Sequence, residues 1–330
     1  MNRHSSAWLV MLGALLISLP SYDVWGQEKI TIKLGVVGGP DSATNWSSMQ
    51  LKRFVEERSK GQVEIQVFHS GRLGSDEVVM DGLRTGTHQM TSIGSNVPAL
   101  VPQFGIFDLP FLFPNRQFVQ KFEDSPLGQE LWQLLPSKGL IGLGFWELGF
   151  REITNNVRPI YTPGDLKGLK IRIPSSPIRM KMFQAYGANP SVLSYTELFS
   201  ALQQGVVDGQ ENPITSIFEA KFYEVQKFLS MSNHVYTPSF ALASKKHWDR
   251  WPNNVQKLIL EAAKEVEALT KKQGEEWDKE RLTFLSKYLK VNETDFNSFQ
   301  NASVAVYKEL GGQIGQGYVD RVIEWVKKNK

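Results

Sequence analysis

Three short blocks of this sequence set polar side chains beside a glycine or proline in apolar surroundings: Gly149-Phe-Arg-Glu-Ile-Thr154, Gly168-Leu-Lys-Ile-Arg-Ile-Pro174 and Val206-Val-Asp-Gly-Gln-Glu-Asn-Pro213. Arg172 is a lone cation on an apolar β-run that Pro174 ends. A guanidinium presents a planar fork of donors that matches a carboxylate with two parallel hydrogen bonds, a geometry lysine does not reproduce. The ordinary role of such an arginine is solvated or ion-paired, because charge is rarely buried without a partner. Arg151 lies in a similar setting, and Asn212, held by Pro213, offers both a donor and an acceptor. Tyr195 opens a helix and Trp146 ends a strand, so either ring can wall a ligand or fill a core. Asp208 and Glu211 read as N-cap or surface acids, and Asp76 and Glu77 as first-turn residues that favour the helix dipole.

Catalytic parts are missing from the sequence. There is no Gly-x-Ser-x-Gly elbow, no Ser-x-x-Lys pair and no His-Glu-x-x-His. Gly35-Val-Val-Gly38-Gly39 follows a strand but lacks the dinucleotide-binding spacing, and no Lys-Ser/Thr follows it as in a P-loop. His4, His69, His88, His234 and His247 show no ligand spacing, so no metal or cofactor is expected. The chain has no cysteine, which removes disulfides and thiolate chemistry. Net charge is +3, without the concentrated basic stripe that nucleic acid requires.

The elements that must position these residues follow from periodicity. Ile30–Leu34, Val63–Val67 and Gln89–Ile93 read as strands, with helices over 45–59 and 76–83 between them. This is the order of a sheet flanked by helices. Pro110 and Pro114 exclude a single helix from Phe104 to Pro114, which reads as an extended stretch. A helix is expected from Pro126 to Leu135 and a strand from Leu140 to Trp146. A second α/β set begins near Phe150. It has a strand at 171–173, a helix over 176–186 and a short strand at 192–193. Ser194-Tyr-Thr-Glu197 has the form of a capping box for a helix over 195–204. Val206-Val207 leads the next strand, and a helix over 214–223 precedes strands at 227–231 and 240–244. From Asn253 one helical pattern runs to about Leu289, long enough to span the molecule. Two further helices, 295–309 and 318–328, are separated by Gly311-Gly312.

The N-terminus carries a basic tip, an apolar run from Ala7 to Leu19 and a small-residue exit before Gln27, the pattern of a secretory signal over residues 1–26. An exported chain without disulfides needs an ordinary hydrophobic core. With 41% hydrophobic residues it has the material for two domains. Ligands of open α/β sheets sit beyond the carboxyl ends of the strands. Two facing sheets would make a cleft lined by Arg151, Arg172, Asn212 and aromatic rings. A secreted hydrolase with a cleft carboxylate is the alternative from another class.

The blocks Gly71-Arg-Leu-Gly74, Asp108-Leu-Pro-Phe-Leu-Phe113, Gly149-Phe-Arg151, Leu166 to Pro174, Asp208 to Pro213 and Lys221 to Leu229 carry a resemblance. The chain resembles the substrate-binding receptors of tripartite ATP-independent periplasmic (TRAP) transporters, the DctP type, over nearly the whole sequence after the signal. The resemblance implies an α/β fold of two domains, a type II-like Venus flytrap with a long helix crossing both. It implies one domain of residues 27–148 plus about 237–276, and another of 149–236 plus about 277–330. It implies a periplasmic, monomeric receptor that is not an enzyme and hands a small organic carboxylate to small and large membrane subunits. A receptor for an ATP-driven importer or for a sensor kinase is the alternative within the same broad class. By resemblance Arg172 forms the bidentate salt bridge and Arg151 also reaches the carboxylate. Asn212 hydrogen-bonds the ligand and Tyr195 walls it. Gly94, Ser95, Asn96, Asp76 or Glu77, and Trp146 fall where contacts vary among members. Sialic-acid binders carry polar side chains where this chain has Val37 and Gly94, which leaves C4-dicarboxylates, 2-oxo or hydroxy acids, aromatic acids and uronates.

Overall fold

Alternating apolar residues build the first sheet. Ile32 and Leu34 of β1 (Ile30–Gly35) and Val63 and Ile65 of β2 (Val63–Phe68) are fully buried. Between them runs α1 (Ala43–Arg58), whose Ser42 cap accepts from the Asn45 amide at 3.1 Å. Then follow α2 (Asp76–Thr85), capped by Ser75, and β3 (Met90–Ile93). The helix stops at Gly86, whose φ of 86° suits glycine. The computed structural model describes residues 29–329, apart from the side chains of 308, 310 and 311. The expected signal segment lies outside the described residues.

The chain continues through α3 (Val97–Leu100), a 3-10 helix (Pro102–Asp108), α4 (Arg116–Glu123) and α5 (Pro126–Glu130) into β4 (Leu140–Asn155). After it come β5 (Lys170–Ile173), α6 (Pro177–Ala185), β6 (Asn189–Val192), α7 (Tyr195–Gln203), β7 (Gly209–Pro213) and α8 (Ile214–Glu219). The remainder is β8 (Phe228–Met231), β9 (Tyr236–Ser244), α9 (Lys245–Trp248), α10 (Asn253–Leu285), β10 (Lys290–Glu293), α11 (Phe296–Ile314) and α12 (Gln316–Asn329).

Strand β4 joins two sheets in this two-domain α/β fold. Its first part pairs with β9, continuing the order β2-β1-β3-β9-β4. Its last residues pair with β7 on one edge and β8 on the other, and β5 and β6 extend the β7 side. The long helix α10 buries Val255, Ile259, Ala262 and Val266 with Trp146 in one core. Its last turn places Leu285 in a second core with Leu198, Ile214 and Leu229. At 1.5 Å per residue it is about 50 Å long, so one rigid rod braces both sheets. The last helices clasp the molecule: Phe299 packs edge-on to Tyr186, and Trp325 packs against Phe118 and Phe122.

Several expected elements are corrected. The strand read as ending at Trp146 runs to Asn155, because Gly149 (φ 126°) makes a β-bulge rather than a break. The stretch from Phe104 is not extended. It begins as a 3-10 helix whose Phe104 and Phe107 fill the core, and Pro110 lies beyond its end. The helix from Pro126 lasts one turn before becoming a 3-10 segment at Leu131–Leu134. Strand β7 starts at Gly209, after Val206-Val207, and β6 ends at Val192. The break between the last helices is at Gly315 (φ 109°), not at Gly311-Gly312. Among the described residues no helix is long and apolar enough to cross a membrane.

Candidate functional site

The carboxyl ends of β1, β3, β5 and β7 converge on one cleft, partly open to solvent. One wall consists of Val37 and Gly38 after β1, the first residues of α1, Asp76 opening α2, and Ser92 to Asn96 at the end of β3. The other consists of Arg151, Arg172, Pro174, Tyr195, Asn212, Ser216 and Glu219. Nine of the eleven residues singled out from the sequence line this space together. Trp146 and Glu77 do not.

Trp146 is a correction: it is fully buried under α10, and its ring N–H donates to the Ala263 carbonyl at 3.1 Å. That position satisfies the indole's single donor inside the core. Glu77 is the second correction. Its carboxylate accepts from the Asn96 amide at 2.6 Å and from the Ser75 hydroxyl at 2.7 Å, so it braces the wall from behind. Its neighbour Asp76 lines the cleft with no hydrogen-bond or ion-pair partner among the described residues. Burial and the nearby Glu77 charge push Asp76 up to about 7, against a smaller opposing pull from Arg172.

Arg151 and Arg172 differ sharply in their partners. Arg151 grips Glu211 through Nε and Nη2, and Nη2 also reaches the Asn212 side-chain oxygen at 2.9 Å. Arg179 joins the same network, donating to Asp108 at 2.6 Å and to Glu211 at 3.1 Å. Arg172 is 3% exposed, and its Nε donates to the Leu193 carbonyl at 2.9 Å. Its two terminal nitrogens have no partner among the described residues. Burial, then the neighbouring Arg151 charge, pushes its pKa down to about 10, which leaves it cationic at neutral pH. Three buried arginines (151, 172 and 179) thus share two buried carboxylates, Asp108 and Glu211. His234, which burial biases toward neutral, does not change the surplus of positive charge.

Glu211, read as an N-cap or surface acid, is wholly buried, and its arginines hold its pKa well below the ordinary value despite the opposing cost of burial. The signal that could have found it is the pair of arginines itself, since buried cations demand a buried acid. Asn212 is largely committed: its oxygen accepts from Arg151 and its amide donates to Gln210 at 2.5 Å. Tyr195 donates to Glu219 at 2.5 Å, and the other Glu219 oxygen accepts from the Gly39 amide at 3.0 Å across the cleft. Sequence reading missed Glu219, and no local pattern marks it. The expected capping box is also incomplete. The Ser194 hydroxyl donates to the Glu197 carboxylate at 2.6 Å instead of accepting a backbone amide. Among the described residues no cluster of His, Asp and Glu is arranged to hold a metal.

A cleft between two α/β domains, walled by hydrogen-bonding side chains around a buried arginine, defines a two-domain solute-binding receptor. Residues 37–313 match the family of bacterial extracellular solute-binding proteins, family 7, and the chain belongs to it, as a DctP-type receptor of TRAP transporters. It is 36% identical over 233 residues to the 2,3-diketo-L-gulonate-binding periplasmic protein of Escherichia coli K12, covering 69% of this chain and 71% of that one. A sugar acid binding protein of Advenella mimigardefordensis, solved with galactonate, superposes with a TM-score of 0.89 at 36% identity, over 92% of this chain and 99% of the other. A TRAP periplasmic solute binding protein of Sulfurospirillum deleyianum, solved with succinate, gives 0.86 at 33% identity, over 90% and 99%. These relatives are binding components of transporters, and the chain is a receptor rather than an enzyme.

Proposed function

We propose that the chain is a periplasmic receptor that holds a small organic acid by its carboxylate on Arg172 and delivers it to the small and large membrane subunits of a TRAP transporter. The observation that carries this reading is the surplus positive charge at Arg172, a buried guanidinium whose terminal donors have no partner among the described residues. A ligand carboxylate would satisfy both donors and balance the charge. Arg151 lines the same cleft with its Nη1 unpartnered among the described residues, so it can add a third donor. Asn212 and Tyr195 border the ligand, and Val37, Gly94, Ser95, Asn96 and Asp76 set the opposite wall. A Cβ at Gly94 would stand 3.0 Å from Leu148, so the glycine keeps that wall thin.

The proposed lobes are residues 27–148 with 237–276, and 149–236 with 277–330, acting as a monomer. Closure of one on the other excludes water, which strengthens the ion pair, and the ligand favours the closed state by binding it more tightly. Relatives bound to galactonate, succinate and 2,3-diketo-L-gulonate support an organic acid as the cargo. A thermal-shift screen over organic acids tests the reading: at least one acid raises the melting temperature of the protein, and does so far less in Arg172→Ala. A panel without any such acid, or an undiminished shift in the variant, would overturn it.

A further inference from the structure

The turn from Gly39 to Asp41, between β1 and α1, does not line the cleft, yet the other wall grips it at two points. Its Gly39 amide donates to the Glu219 carboxylate at 3.0 Å, and its Asp41 carbonyl accepts from Nη2 of Arg281 at 2.9 Å. Glu219 ends α8 and Arg281 stands in the last third of α10, so an acid and a cation take a donor and an acceptor of one turn. Arg281 is 7% exposed and forms no ion pair among the described residues. Its guanidinium lies 4.6 Å from the Trp277 ring and 5.2 Å from the Phe218 ring, and Nη1 reaches the Thr215 carbonyl only at 3.5 Å. The Asp41 carbonyl is therefore its one close acceptor among the described residues, and a buried guanidinium that loses such a partner is costly. The turn itself is held in shape by its own side of the cleft. The Pro40 carbonyl accepts from the Asn45 side chain at 2.8 Å, and the Gly39 carbonyl from the Ser42 hydroxyl at 2.7 Å. Gly39 lacks the positive φ that calls for glycine, but a Cβ there would stand 2.9 Å from the Glu219 carboxylate. Contact with the other wall, not backbone conformation, accounts for the glycine. The next three residues, Ser42 to Thr44, line the cleft, so holding the turn holds that wall.

Resting on the two-lobe receptor reading above, we propose that Arg281 is a positioning residue for ligand retention. With Glu219 it latches the Gly39–Asp41 turn of one lobe onto the other, and the latch sets how long a bound acid stays. The contacts form as the lobes meet, so their free energy belongs to the closed state and appears in opening rather than in encounter. Neither Gly39 nor Arg281 lines the cleft, so the latch slows release of every acid by the same factor. That uniformity separates it from contacts that choose between acids. Trp46 of α1 packs edge-on against Trp277 at 5.3 Å, one turn before Arg281, so two indoles stand at the same junction and report its separation.

Stopped-flow tryptophan fluorescence over an organic-acid panel, galactonate and succinate included, tests the proposal. In Arg281→Ala and in Gly39→Ala, dissociation becomes about tenfold faster while association stays within about twofold of the parent. The acceleration is the same for each acid that binds, and Arg281→Lys, which keeps the cation and one donor, recovers part of it. The melting temperature of the ligand-free protein checks folding, and Gly39→Ala leaves it as in the parent. A lower melting temperature in Arg281→Ala with parent-like dissociation marks a purely structural arginine and overturns the proposal. Slower association with unchanged dissociation overturns it too, as does an acceleration confined to one acid among several that bind. Should Arg281→Ala not fold, Gly39→Ala and Arg281→Lys carry the same test. Undiminished binding in Arg172→Ala, or a panel in which no acid binds, instead overturns the carboxylate reading, so the two failures are separable.

Discussion

Glu211 closes on Arg151 with both carboxylate oxygens, and that pairing is what leaves Arg172 without an acid of its own among the described residues. The two arginines come from strands on either side of β7, which itself supplies Glu211 and Asn212. One strand therefore neutralises a neighbour on one edge and leaves the other charged. A binding site built this way has its charge fixed before ligand arrives, so little reorganisation opposes binding.

Replacing Arg172 separates charge from geometry. Arg172→Ala removes both and lowers carboxylate affinity by about 2–5 kcal/mol, since the ligand charge would be desolvated without a partner. Arg172→Lys retains a cation but loses the paired donors, and the expected loss is smaller, about 1–2 kcal/mol. Titration calorimetry with the acid found by thermal screening measures both. Equal losses in the two variants would mean that charge alone contributes nothing, whereas a lysine variant that binds as the parent does would mean that the fork geometry has no part in recognition.

Glu211 acts on folding before it acts on binding. Glu211→Gln leaves Arg151 without its acid and Arg179 with Asp108 alone. Breaking a buried pair by removing one partner costs about 3–5 kcal/mol. Denaturant titration of the ligand-free variant should show that loss as a lower midpoint with unchanged slope. A midpoint within error of the parent would show that the network adds nothing to stability.

Much of this site was legible in the sequence because strands end where glycine or proline stands, and ligands collect at strand ends. Arg172 before Pro174 and Asn212 before Pro213 follow that rule. Strand and helix order was legible for the same reason, from β1 through β3. What escaped is what depends on contacts between distant residues. Gly149 marks a bulge only because β9 runs alongside β4. Trp146 belongs to the core only because Ala263, more than a hundred residues later, offers its carbonyl. Glu211 and Glu219 became visible as site residues once their partners, Arg151 and Tyr195, were brought beside them. Periodicity carries no information of that kind.

Stability should depend on pH through Glu152. It is buried on β4 and accepts from the Ser232 and Asn233 amides at 2.5 and 2.9 Å, yet burial pushes it up to about 7. The folded protein therefore binds this proton more tightly than the unfolded chain. The contribution is fully present below the ordinary value of 4.5 and is lost as pH rises through about 7. Glu123, raised to about 8 by burial, acts in the same direction, whereas His234, lowered by burial, acts in the opposite one. Scanning calorimetry of Glu152→Gln and the parent from about pH 5 to about pH 8 isolates the single group. The parent should lose stability relative to the variant as pH rises, and parallel curves would refute the assignment.

Glu219 connects ligand retention to closure. Its two oxygens bridge the Tyr195 hydroxyl on one wall and the Gly39 amide on the other, so the bridge exists only when those walls are together. An interaction made only in the closed state slows opening without guiding the ligand in. Glu219→Ala should therefore weaken binding by about 1–3 kcal/mol, the scale of losing hydrogen bonds to a charged group. Nearly all of that loss should appear as faster dissociation. Stopped-flow fluorescence, using the intrinsic tryptophans, resolves the two rates. If the association rate falls and dissociation stays as in the parent, Glu219 shapes the open cleft instead of holding it shut.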